Sequence, residues 1–209
     1  MKKQTRGGAP DLQRAAAAMR EFLAALGVSA ASCGMEETPA RTAELYAELF
    51  AGLHEDTAEL WADVLTEEMD GLVAVRAIPF YSMCEHHLLP FFGTAHIVYQ
   101  PHAGRVAGFG VFARLVASMA RRPQLQERLT GDIAREIECG LGAEGVLVVL
   151  DAQQLCMMMR GARAHGARTT TSASCGIFRT DAASRMQAWT MLGMERGAQD
   201  DSESTLSLC

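Results

Sequence analysis

The chain has 209 residues, 49% of them apolar, yet no apolar run is long enough to cross a bilayer. That combination points away from a membrane protein. It leaves enough apolar material for a sizeable core in one domain, or in a domain with a helical extension. The N-terminal Met1-Lys-Lys-Gln-Thr-Arg6 is basic but leads into Gly7-Gly-Ala-Pro10 and a polar helix, without the apolar stretch of a secretory signal. A cytoplasmic protein is expected. Runs of lysine and arginine are also missing, and the net charge is -6, which argues against a nucleic-acid partner. An anionic small molecule stays open, because a few local arginines can hold it whatever the total charge. The six cysteines (33, 84, 139, 156, 175 and 209) are even in number. With this size and no signal segment, they read as reduced thiols rather than a disulfide framework.

The most informative stretch is Phe80-Tyr-Ser-Met-Cys-Glu-His-His-Leu-Leu-Pro90. Cys84 and His87 have the C-x-x-H spacing of a metal clamp, and the distant Cys156 can close a third side. Three such ligands without an obvious fourth describe a zinc ion that keeps one position open for water, which favours chemistry over architecture.

Around this stretch the chain reads as helices, then strands with helices between them. Residues 1–10 read as a disordered arm. Asp11 to Leu26 is a helix capped by Asp11 and stopped by Gly27. Thr38-Pro39 opens a second helix, with Thr38 as cap, Leu45, Leu49 and Phe50 on one face and Gly52 at its end. Thr57 to Leu65 reads as a short third helix capped by Thr57. The character changes at Gly71. Residues 72–78 and 94–100 alternate as strands, with the metal stretch in the loop between them. Residues 112–119 and 124–139 carry helical periodicity. Gly145 to Asp151 is a buried strand, 168–174 is rich in β-formers, and Asp181 to Leu192 is a last helix. The methionines at 157–159 read as strand packing, Cys33, Cys139 and Cys175 as core or loop thiols, and 197–209 as a loose polar tail. The pattern is α+β: a helical N-terminal region over 11–66, a catalytic domain over 67–195 and a flexible tail over 196–209.

From about residue 11 to 192 the chain resembles GTP cyclohydrolase I. Five stretches carry the likeness, in the family's order: Thr38-Pro-Ala-Arg41, Ser82-Met-Cys-Glu-His-His-Leu-Leu-Pro90, Arg121-Arg-Pro-Gln-Leu-Gln-Glu-Arg-Leu129, Cys156-Met-Met-Met-Arg-Gly161 and Thr169-Thr-Thr-Ser172. The resemblance implies the tunnelling fold, in which antiparallel sheets of several subunits close into a barrel. It also implies a homo-oligomer, a decamer of two pentameric rings, with sites between subunits. The implied reaction is attack of zinc-activated water on C8 of a guanine nucleotide, opening of the imidazole ring, loss of formate and closure of a new ring. It converts GTP and water to 7,8-dihydroneopterin triphosphate and formate, in pterin and tetrahydrofolate biosynthesis. Carried over position by position, Cys84, His87 and Cys156 would hold Zn2+ and His86 would handle protons. Glu127 would recognise guanine through two acceptor oxygens, with Gln126 beside it. Arg41, Arg114 and Arg160 would hold phosphates, for which a planar guanidinium fork is suited.

Three stretches depart from the family pattern. Gln154 stands where the family has a proton-transferring histidine, and glutamine can hydrogen-bond there but cannot titrate. Gly110 and Val111 replace a phosphate-contacting serine and lysine, and Glu44 replaces a lysine. These changes leave alternatives open. One is an enzyme that stops at a ring-opened formamide or takes a guanine compound with fewer phosphates. A second is a non-catalytic purine- or pterin-binding or regulatory member. A third is a nitrile-reducing relative in the same fold, to which the cysteine-histidine clamp is less suited.

Overall fold

The computed structural model describes residues 8–31, 34–69 and 71–193. Most of the expected arm, the expected tail, Cys33 and Cys209 fall outside these residues. Helices α1 (Leu12–Ala25) and α2 (Thr38–Leu49) come first. Asp11 caps α1 by accepting from the Arg14 amide at 2.9 Å. In α2, Thr38 is the first helical residue rather than the cap. Glu37 takes the capping position without a side-chain bond, and Pro39 fits the first turn because its missing N–H would have no partner there. The expected third helix is only a 3-10 turn, Thr57–Trp61, capped by Asp56 rather than Thr57. Leu65–Thr66 instead forms a short strand, β1, paired with β4 (Arg105–Val106). Leu65 leaves the helix because its partner strand lies forty residues on, which local periodicity does not register.

The main sheet has the order β5-β2-β3-β6-β7, with β2 (Val73–Cys84), β3 (Pro90–Gln100), β5 (Pro123–Gln124), β6 (Gly145–Gln154) and β7 (Thr169–Gly176). Its pairs are antiparallel except β2 with β5. The first two strands are longer than their alternation suggests. A bulge between Val75 and Ile78 breaks the period of β2, and Ala77 takes a left-handed φ of 58° there. Helices α3 (Phe109–Ala120) and α4 (Gln126–Leu141) lie between the two hairpins and cover one sheet face. Phe112, Leu115, Leu129, Ile133 and Ile137 pack there on Ile97, Tyr99, Val146, Val148 and Leu150. The other face receives α6 (Ile177–Thr180) and α7 (Ala182–Leu192), whose Phe178, Ala188 and Leu192 meet Val98, Leu147 and Val149. Burial on both faces is why β6 reads as an unbroken apolar run. The β3–β6 contact is close: a Cβ at Gly93 would sit 2.0 Å from the Asp151 carbonyl oxygen.

Helix α1 has no buried residue, and Leu12, Phe22, Leu26 and Leu45 are exposed. Leu45 therefore does not face the core of this chain. Among the described residues no helix is long and apolar enough to cross a membrane.

Candidate active site and metal centre

Cys84 is the last residue of β2, not part of a loop, and its side chain is buried. Two neighbours hold this strand end. On one side Cys84 pairs with Gln124 of β5, and the Glu85 amide donates to the Gln124 carbonyl at 3.0 Å. On the other, a tight turn returns the chain into β3. The Leu88 amide donates to the Cys84 carbonyl at 2.8 Å, and the Cys84 amide donates to the Leu89 carbonyl at 2.9 Å. Leu88 sits in the left-handed region at φ 51°, and the Tyr46 hydroxyl of α2 donates to its carbonyl at 3.3 Å.

The sheet register then brings Cys156 to the same place. Met83 faces Pro90 across β2 and β3, and Phe91 faces Gln154 across β3 and β6. Strand β3 thus aligns the two cysteine-bearing ends, and the short helix α5 (Leu155–Met158) carries Cys156 just past β6. Helical winding also turns out Met157 and Met159, which are exposed rather than packed as strand residues. The Sγ atoms of Cys84 and Cys156 and a ring nitrogen of His87 lie within 4.8 Å of one another. A tetrahedral centre with Zn–S near 2.3 Å would require these atoms to close by at most about 1 Å. The donor chemistry fits as well. Burial pushes the Cys156 thiol up, and the adjacent Cys84 pushes it further, while Arg160 pulls it down. Two neighbouring thiols both ionise readily only when a cation lies between them. His86 follows the ligand cysteine with its Nδ1 3.9 Å from Cys84 Sγ, and its ring stands edge-on to His87.

The N-terminus of α4 borders this centre, because β5 leads directly into it. Glu127 is exposed in its first turn. Gln126 is buried, and its amide has partners within the chain. Its Nε2 donates to the Thr169 carbonyl at 2.7 Å, the Leu150 carbonyl at 3.2 Å and Thr171 Oγ1 at 3.1 Å. Its Oε1 accepts from Gln154 Nε2 at 2.7 Å. The two backbone carbonyls settle which way Gln126 points, and Gln126 in turn settles Gln154, whose NH2 faces Gln126. Arg160 is exposed just after α5; Arg114 on α3 and Arg41 on α2 are also exposed. Val111 is buried in the core beside Phe112, so an apolar residue suits that position. Glu44 is exposed. Arg105 donates to the Leu141 carbonyl at the far end of α4, about 24 Å from its start at 1.5 Å per residue.

Residue patterns did not single out Glu85 and Arg128. Arg128 Nη1 and Nη2 donate to the two Glu85 carboxylate oxygens at 2.5 and 3.0 Å. That hydrogen-bonded guanidinium holds the Glu85 carboxyl below the usual carboxylate range, against the opposing effect of burial. The signal available in sequence was a cation in the first turn of a helix, where the dipole disfavours it.

The family model for GTP cyclohydrolase I matches residues 15–193. The chain belongs to the GTP cyclohydrolase I family. The GTP cyclohydrolase 1 of Corynebacterium glutamicum (strain R) is 51% identical over 183 residues, covering 87% of this chain and 93% of that protein. That of Geobacillus sp. (strain WCH70) is 47% identical over 175 residues, covering 84% and 93%. That of Carboxydothermus hydrogenoformans is 46% identical over 190 residues, covering 91% and 99%. Among solved structures, the archaeosine synthase QueF-Like in the apo form aligns with a TM-score of 0.44 at 19% identity, covering 52% of this chain and 97% of that one. The protein is an enzyme of the GTP cyclohydrolase I type. Its Cys84-His87-Cys156 group is arranged to take a metal ion. The non-catalytic and nitrile-reducing alternatives thereby lose their support.

Proposed function

We propose that the enzyme is a zinc-dependent hydrolase that opens the guanine imidazole ring of GTP at C8, on the family's route to 7,8-dihydroneopterin triphosphate and formate. The observation that carries the reading is the convergence of Cys84, His87 and Cys156 beside the α4 end that bears Glu127. Zinc bound by the trio would supply a water acidic enough to act as a nucleophile near neutral pH. The exposed Glu127 carboxylate offers two acceptors for the ring N–H and exocyclic amine of guanine. His86, next to the metal-ligand residues and exposed, carries a ring that can give or take a proton at the imidazole nitrogens of the substrate. Arg160, Arg114 and Arg41 provide guanidinium forks for the phosphates. Gln126 has a supporting role in this reading: it orients Gln154 so that the Gln154 carbonyl oxygen is left to accept a proton donor from the substrate or a water.

A second outcome rests on Gln154 alone. A glutamine cannot relay a proton, and loss of a general acid–base group typically costs about 10²–10⁴ in rate. We therefore propose that the ring-opened formamide accumulates, because the second hydrolysis, which releases formate from it, is slowed more than the first. The exposed apolar residues of α1 and α2 support a homo-oligomer, a decamer by the family resemblance, in which these helices are covered by other subunits.

The test is to incubate the zinc-loaded protein with GTP, GMP and guanosine, and to follow formate and product masses. GTP consumption with zinc dependence is expected. Activity that survives complete zinc removal, or persists in Cys156→Ala, would sink the zinc reading. Neopterin formed at the rate of GTP loss would reject formamide accumulation. Light scattering checks the assembly, and a monomer at micromolar concentration would reject it.

A further inference from the structure

We propose that Arg128 is a positioning residue that braces the turn Glu85–Leu89 against the first turn of α4, so that the metal ligands and the carboxylate of Glu127 keep one fixed separation. This rests on the functional reading above only for the roles of the two ends it joins.

Glu85 lies between Cys84 and His86, directly after the first residue of the metal clamp and two residues before His87. Arg128 lies immediately after Glu127. The two-bond fork between them spans from the ligand turn to the helix. A fork fixes direction as well as distance, which a single point contact does not. Both side chains are more than two-thirds shielded, at 27% and 29% exposure, so the pair is held by its surroundings rather than swinging in solvent. The position of Arg128 works against helix stability taken alone, since a cation in the first turn opposes the helix dipole. The ion pair offsets that disadvantage and gives the residue a task at the site.

The backbone of the turn is already bonded, through the Leu88 and Cys84 amides and the Tyr46 hydroxyl. These contacts shape the turn and tie it to β2 and α2. The Glu85–Gln124 bond reaches β5 only, before α4 begins. Among the described residues, the Arg128 fork is the side-chain hydrogen bonding that joins this turn to α4 itself. Its loss would leave the fold intact and let the turn and the helix end drift relative to each other. Misplacement of reacting groups by about 1 Å can cost on the order of 10²-fold in rate.

The experiment compares wild type, Arg128→Ala, Arg128→Lys and Glu85→Gln. Amide hydrogen exchange on the metal-free protein reads the brace without metal or substrate. In Arg128→Ala the amides of residues 85–89 are expected to exchange about tenfold faster, with β3 and β6 unchanged. Zinc affinity by chelator competition is expected to fall by about tenfold, the lower end for contacts that support metal ligands. The cobalt-substituted protein should show shifted ligand-field bands. With GTP, kcat should fall more than KM rises, and Arg128→Lys, which keeps charge but not the fork, should recover only part of each loss. Unchanged exchange at 85–89 together with zinc affinity within twofold of wild type would overturn the brace. If Arg128→Ala does not fold, Glu85→Gln decides by the same readings, since it keeps the shape and weakens the pair. Wild-type protein that binds no zinc would defeat the functional reading instead, and exchange alone would still decide the brace.

Discussion

Gln126→Glu changes one atom of a buried side chain and should be more harmful than the removal of its polar group. The Gln126 amide is 3% exposed and faces three acceptors: the Thr169 and Leu150 carbonyls and Thr171 Oγ1. Two N–H hydrogens serve them, so one bond is shared. Gln126→Leu removes both donors and the acceptor for Gln154. Two lost donor bonds and the lost acceptor for Gln154, at about 0.5–1.5 kcal/mol each, give about 2–4 kcal/mol. Gln126→Glu keeps an acceptor for Gln154 but sets a second oxygen against two carbonyls. The carboxyl can keep the network only by staying protonated, so its folded-state pKa must rise above its unfolded value of about 4.3. A raised acid pKa gives stability that is present below the unfolded pKa and lost as pH rises through the folded one. Gln126→Glu should therefore approach wild type near pH 4 and fall away toward pH 7, where it should be less stable than Gln126→Leu. Urea unfolding of the three proteins at fixed protein concentration, from pH 4 to 8, measures this. A Gln126→Glu protein as stable as wild type at pH 7 would refute the donor assignment and, with it, the orientation of Gln154.

Three further outcomes are expected. Gln154→His should donate one ring N–H to Gln126 Oε1 and leave the other nitrogen toward the site, so ring-closed product from GTP should rise at least tenfold and gain an acid limb in its pH profile; an unchanged product ratio by mass spectrometry would count against the proton-relay argument. His96 is kept neutral mainly by burial, with Arg76 helping and Asp151 opposing, and its Nδ1 accepts from Ala77 N at the β2 bulge while Nε2–H faces Thr94. Its folded pKa is depressed, so its contribution is present above about pH 6.5 and lost as pH falls through the folded value; His96→Gln should flatten that part of the stability–pH curve, and an identical curve would contradict it. Gly93→Ala should cost about 1–3 kcal/mol or more in thermal unfolding, because β3 or β6 must shift to clear the Asp151 carbonyl.

Much of this molecule is legible from local pattern. Asp11 as a cap, the buried run of β6 and the helical periods of α3 and α4 are decided by neighbours a few residues away, and periodicity records those. Cys84-Glu-His-His87 likewise announces a metal clamp, because ligand chemistry and spacing sit in one stretch. Leu65 and Val111 are different. One leaves a helix to pair with Val106, and the other is buried in the core where the family resemblance implies a charged residue. Both outcomes depend on surfaces supplied by distant chain.

The residue types alone establish which groups can bind metal, take a proton or hold a phosphate, because those are properties of single side chains. Tertiary structure decides which of them share a site. The β2–β3–β6 register carries Cys156 to Cys84, and the β5–α4 junction brings the start of α4 next to Cys84. It also assigns Gln126 an internal network and gives Arg128 the carboxylate of Glu85. Such pairings form through strand register and packing between elements far apart in the chain, and no local spacing encodes them.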